Sequence, residues 1–103
     1  MATKTIAGVN VDVNDEGYFT NPAQWTKEMA AEMAAEYSIS LTDKHYAVLN
    51  FLRDKHAAGE GLTIRRIGTS GICDIKEFYQ LFPGGPLKIS SKLAGIPKPI
   101  SCV

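Results

Sequence analysis

Asn21-Pro22-Ala23-Gln24-Trp25-Thr26-Lys27-Glu28-Met29-Ala30-Ala31-Glu32-Met33-Ala34-Ala35-Glu36-Tyr37 spaces Trp25, Met29, Met33 and Tyr37 four residues apart. That spacing lines them up as one apolar stripe on a helix. Asn21 is a good N-cap, Pro22 suits the first helical position, and Gln24 stands in capping-box register. A helix is therefore predicted from Pro22, with its Ala-rich, Glu-containing face turned to solvent.

Toward the N-terminus, Ile6, Val9, Val11 and Val13 are interleaved with Ala7-Gly8, Asn10 and Asp12. This predicts a short hairpin whose later strand alternates in and out, followed by a turn at Asn14-Asp15-Glu16-Gly17. Toward the C-terminus, Thr42 is the expected cap of a second helix, with Asp43 well placed against the helix dipole. Tyr46, Leu49, Phe51 and Leu52 are its expected buried face, and it runs out at Ala58-Gly59. A short helix follows around Leu62 to Ile67, then one capped by Asp74 with Ile75, Phe78, Tyr79 and Leu81 as apolar members. Phe82-Pro83-Gly84-Gly85-Pro86 is strong punctuation. The last helix, Leu87 to Ala94, ends at Gly95.

Beyond Gly95 the chain reads Ile96-Pro97-Lys98-Pro99-Ile100-Ser101-Cys102-Val103. Its prolines cannot continue a helix and bias Ile96 and Lys98 toward extended backbone. The expected architecture is mostly α: a small helical bundle with an N-terminal β-hairpin over residues 1–95, and an extended, flexible C-terminal arm over 96–103.

Composition narrows the function. A chain of 103 residues, 45% hydrophobic and 21% charged, has the make-up of one globular domain. Eleven basic residues balance eleven acidic ones, so no excess positive charge draws the chain to nucleic acid or to a membrane surface. No run is long enough for a membrane span or a signal peptide, and the expected location is the cytoplasm. The two cysteines, Cys73 and Cys102, form no CxxC pair and have no companion cluster for zinc. Neither a metal nor another cofactor is expected.

Several motifs carry a resemblance. The run from Lys92 to Val103 resembles the terminal K-x-A-G-[LI]-P-K-P-x-x-C-[VI] signature of the DsrC/TusE family. Leu81-Phe82-Pro83-Gly84-Gly85-Pro86 is similar to that family's L-F-P-x-G-P turn. Asp15-Glu16-Gly17-Tyr18-Phe19 with Trp25, Leu41 to Tyr46 with Phe51-Leu52-Arg53-Asp54, and Ile64-Arg65 resemble further family segments in the same order. The resemblance implies a sulfur carrier whose penultimate cysteine, here Cys102, takes up sulfur as a persulfide and docks into a partner's active site. It implies a TusBCD-like donor and a tRNA-thiolating acceptor in one branch, and a sulfite-reductase-like partner in the other. The second arm cysteine of the DsrC branch is replaced by Ser91, which removes two-cysteine trisulfide chemistry from this arm. The segment between Ile67 and Leu81 is several residues shorter than the resemblance predicts.

The residues themselves agree with a carrier more than with a stand-alone enzyme, since no general base or oxyanion site is evident beside the thiol. Lys98 and Lys92 would favour the thiolate if the arm brings Cys102 near them. Arg65 could present positive charge to the arm. A regulatory protein that binds a sulfite-reductase-like or sensor partner without moving sulfur is the alternative. Cys73 is expected to be a semi-buried structural residue, and His45 a structural hydrogen-bonding one.

Overall fold

A computed structural model of the protein describes residues 2–99. Strands β1 (Ala2–Ile6) and β2 (Val9–Val13) form an antiparallel hairpin in which Ala2 faces Val13 and Ile6 faces Val9. Ala7 and Gly8 both take positive φ, 51° and 78°, the backbone that a two-residue hairpin turn demands. On β2, Val11 and Val13 are buried and Val9 is exposed, so the expected alternation holds from Val11 onward. The Glu32 carboxylate accepts from the Ala7 amide at 2.6 Å and ties the turn to the first helix.

Five helices follow: α1 (Lys27–Glu36), α2 (Asp43–Ala57), α3 (Ile64–Gly68), α4 (Ile75–Leu81) and α5 (Pro86–Leu93). The mostly α bundle with an N-terminal hairpin is the predicted fold class. Helix α5 contacts α1, α2 and α4, and Leu87, Ile89, Ser90, Ser91 and Leu93 along it are all buried. It is the centre of the molecule. No helix among the described residues is long and apolar enough to cross a membrane.

The start of α1 differs from the sequence expectation. Asn21 caps only a 3-10 turn, Pro22–Gln24, and the helix itself begins after Thr26, whose side chain accepts from the Met29 amide. Two tertiary hydrogen bonds explain the break. The Gln24 side-chain oxygen accepts from the Asp12 amide at 2.8 Å instead of closing a capping box. Trp25 is held in extended backbone while its indole N–H donates to the Leu93 carbonyl at 2.7 Å. The buried face differs too. Ala30 and Ala34 are fully buried beside Met29 and Met33, and Tyr37 is exposed at the C-cap. The small Ala side chains therefore line the packed interface rather than the solvent face.

On α2 the Thr42 cap forms as expected, and Gly59 follows the helix end with φ of 75°. The buried stripe is His45, Val48, Leu49 and Leu52, at the i, i+3, i+4, i+7 spacing of one face. Tyr46 and Phe51 flank that stripe and are only half-buried. Thr63 caps α3 and Asp74 caps α4, each accepting from the third amide of its helix. In α4 only Phe78 is fully buried, whereas Ile75 and Tyr79 are about half exposed, at 46% and 50%.

Candidate functional site

The sequence expectation puts the reactive centre in the C-terminal segment, and the structure describes that segment through Pro99. Ala94 ends α5, Gly95 follows at φ +66°, and two reverse bonds close the helix end. The Gly95 amide donates to the Lys92 carbonyl at 3.1 Å, and the Ile96 amide donates to the Ser91 carbonyl at 3.3 Å. This is a Schellman stop, in which a left-handed residue turns the chain sharply out of the helix. Gly95 has a second reason to be glycine: a Cβ there would lie 2.3 Å from Trp25 Cδ1. Gly95 thus packs directly against the indole.

Two side chains from distant parts of the chain hold the carbonyls just before that turn. Trp25 donates to Leu93. Arg53 Nη1 donates to the Ala94 carbonyl at 2.9 Å, and its Nη2 donates to the Pro22 carbonyl at 3.0 Å. The guanidinium lies 4.3 Å over the Trp25 ring, so one planar cation stacks on the indole and bridges two segments. Desolvation in this partly buried seat lowers the Arg53 pKa from its ordinary value. Both bonds are charge-assisted, and the one to the Ala94 carbonyl is worth about 1.5–3 kcal/mol. The Pro22 carbonyl also accepts from the Trp25 amide at 3.3 Å. The sequence pattern alone makes Trp25 part of an apolar stripe and assigns Arg53 no role. A signal was present: Arg53 stands one turn after Leu49, at the edge of the helix's apolar stripe.

Past the turn, Ile96 is buried in the core cluster and Pro99 is buried as well. Lys98 Nζ pairs with the Glu16 carboxylate at 3.0 Å, on the turn that follows the hairpin. Lys92 Nζ sits 5.2 Å from the centroid of the Tyr18 ring. Burial, followed by the like charge of Lys88, lowers the Lys92 pKa, with Glu16 opposing the shift. Lys92 and Lys98 therefore flank one carboxylate beside the arm. Arg65 does not join them: it is exposed on α3, and its guanidinium makes no ion pair among the described residues. Cys102 lies outside the described residues.

Ser91 is fully buried in α5, and its hydroxyl has no hydrogen-bond partner among the described residues. Its carbonyl anchors the Schellman turn. Cys73 is a buried free thiol, as expected, and its pKa is raised by burial and then by Glu77, with Lys44 opposing. His45 is structural too. Its Nδ1 accepts from the Thr42 amide at 3.1 Å and its Nε2 donates to the Leu81 carbonyl at 2.9 Å, joining the start of α2 to the end of α4. Among the described residues no group of three or more His, Cys, Asp and Glu side chains is placed to hold a metal.

The fold is thus a small helical domain in which Trp25 and Arg53 clamp the root of a proline-rich segment. The family model described as DsrC like protein matches residues 5–103, and the chain belongs to that family. It is 32% identical to the sulfurtransferase TusE homolog of Haemophilus influenzae, with 95% of this chain and 97% of that protein covered. It is 30% identical to sulfurtransferase TusE of Escherichia coli K12, covering 93% and 95% of the two. Among solved structures, the crystal structure of dissimilatory sulfite reductase I (DsrI) superposes with a TM-score of 0.84 at 31% identity, over 99% of this chain and 100% of that one. The NMR structure of Allochromatium vinosum DsrC superposes with a TM-score of 0.80 at 31% identity, covering 98% and 97%. These relatives place the chain in a sulfur-relay family.

Proposed function

We propose that this protein is a single-thiol sulfur carrier, with Cys102 as both acceptor and donor of sulfur. The observation that carries the reading is the clamped root of the arm. Trp25 and Arg53 hold the last α5 carbonyls while Gly95 ends the helix and starts a terminal motif that the family match includes through residue 103. A relay thiol has to be presented from a defined point and still reach a partner's pocket.

The chemistry is thiol exchange. The Cys102 thiolate attacks the outer sulfur of a donor persulfide, an S–S bond forms on Cys102, and the donor's thiolate leaves. Handing the sulfur on repeats the exchange with an acceptor thiolate, and no net oxidation occurs. Lys98 and Lys92 supply positive charge near the root of the arm and would favour the thiolate when Cys102 swings toward them. Arg65 is exposed on α3 and is available to a partner. The partners on this reading are a TusBCD-like or sulfite-reductase-like relay protein and, in the first branch, a tRNA-thiolating enzyme, all in the cytoplasm. With Ser91 in the second arm position, the product is an open persulfide rather than an internal bridge.

Incubation with a cysteine desulfurase and a relay donor, followed by intact mass and peptide mapping, tests this. Added mass of whole sulfur atoms on the Cys102 peptide, removed by reductant, is the expected result. Ser91 also favours a second reading, a regulatory member that binds its partner without moving sulfur. Failure of Cys102 to acquire sulfur from any donor puts that reading in place of the first.

A further inference from the structure

A cleft of about 540 Å3 opens beside the arm, between α3, α4 and the Gly84-Gly85 turn. We propose that it docks an acidic segment with an apolar tip, presented by the protein that exchanges sulfur with Cys102; this rests on the carrier reading. Its walls are apolar, from Ile64, Tyr79, Pro86 and Leu87. Tyr79 is 50% exposed, a large aromatic ring spent on solvent rather than on the core. Exposed aromatic anchors of this kind are enriched at protein interfaces, because two torsions fix a large contact area.

Charge selects the partner. Lys88 lines the cleft, is exposed, and makes no ion pair among the described residues. Glu16 is the one carboxylate among the lining residues, and Lys98 already holds it at 3.0 Å. Gly85, the N-cap of α5, has no side-chain cap bond, so the positive end of that helix adds to the same face. The unbalanced charge around the apolar walls is therefore positive, and an acidic rim on the partner complements it.

Position links the cleft to the chemistry. Lys98 lines it and stands four residues before Cys102, a span of at most about 14 Å of extended chain. A partner seated there has its reactive sulfur within the arm's reach.

Amide NMR titration with acetyl-Glu-Leu-Phe-Glu-amide and acetyl-Lys-Leu-Phe-Lys-amide tests the cleft itself. The acidic peptide should shift Ile64, Tyr79 and Leu87, the lysine peptide should leave them, and Lys88→Glu should abolish the difference. Equal shifts from both peptides, or shifts confined to another face, overturn the proposal. A second measurement uses the Tyr79→Ser, Lys88→Glu double variant, whose altered side chains are exposed. Loading of Cys102 from inorganic polysulfide, which gives up one sulfur and shortens by one, should match the parent. Loading from a persulfide-bearing relay protein should fall at least about tenfold, the loss of one anchor contact. Equal loading of variant and parent by that protein overturns the docking site. If neither donor loads the parent, the carrier reading fails, and the peptide titration still decides the cleft.

Discussion

The seam where α5 meets the C-terminal segment and the corner made by α3 and α4 follow opposite plans. At the seam, three side-chain hydrogen bonds from Trp25 and Arg53 cross more than thirty residues of sequence to reach backbone carbonyls, and Leu93, Ala94 and Ile96 are buried. At the corner, two short helices are each capped locally by Thr63 or Asp74. There Phe78 is the buried anchor of α4, while Ile75 and Tyr79 face water. The Lys44–Glu77 ion pair that ties the corner to α2 is itself partly exposed. Long-range bonding is concentrated at the end of α5, and apolar surface is left exposed on α4.

The largest effect that could break this contrast is at Gly95. Gly95→Val forces a branched side chain into left-handed backbone and into the Trp25 ring. Urea unfolding should show a loss of about 2–4 kcal/mol, from left-handed strain plus overpacking. A loss under about 1 kcal/mol would mean that the seam gives way easily and is no clamp.

Arg53→Met comes next. It keeps the length of the side chain and leaves the Ala94 carbonyl without its donor, while the Pro22 carbonyl keeps the Trp25 amide at 3.3 Å. Stability should fall by about 1.5–3 kcal/mol, and the Ile96 amide should exchange faster, since its bond to Ser91 depends on the same turn. Unchanged Ile96 exchange would sever the arm's root from the Arg53 clamp.

The two cysteines sharpen the comparison through chemistry. The Cys73 thiol is buried and its pKa is pushed up by that burial, so it holds its proton to higher pH than an ordinary thiol. Cys73 in the Cys102→Ala protein should react with a maleimide at least about tenfold more slowly than Cys102 in the Cys73→Ala protein. Raising the pH above 9 should speed Cys73, because the thiolate fraction grows as pH approaches its raised pKa. Equal rates at pH 8 would show that the corner opens as readily as the arm.

The smallest effect belongs to the corner's surface. Tyr79→Ser removes an exposed ring and should change stability by no more than about 0.5 kcal/mol. A larger loss, read by the same urea titration, would mean that Tyr79 packs as core and is not a free anchor.

Local signals were legible wherever the chain could satisfy itself nearby. Thr42, Asp74 and the Gly95 stop needed only neighbouring amides and carbonyls, and each forms where the sequence puts it. Asn21-Pro22 was misleading for the complementary reason. Its local helix start competes with the Gln24 bond to Asp12 and the Trp25 bond to Leu93, and those long-range partners win. Ala30 and Ala34 went the same way: periodicity cannot tell a small residue that allows close packing from one that merely faces water.

By itself the sequence determined the fold class, the family, and the one-thiol character that Ser91 leaves to the arm. These are written in caps, turns and a terminal motif, all readable within a few residues. The seat of Arg53 across Trp25, Pro22 and Ala94, and the cleft that joins Ile64, Tyr79 and Lys88 beside the arm, were decided only by the tertiary structure. Each gathers residues far apart in the chain, and which carbonyl a guanidinium finds depends on how helices pack, not on the order of the residues.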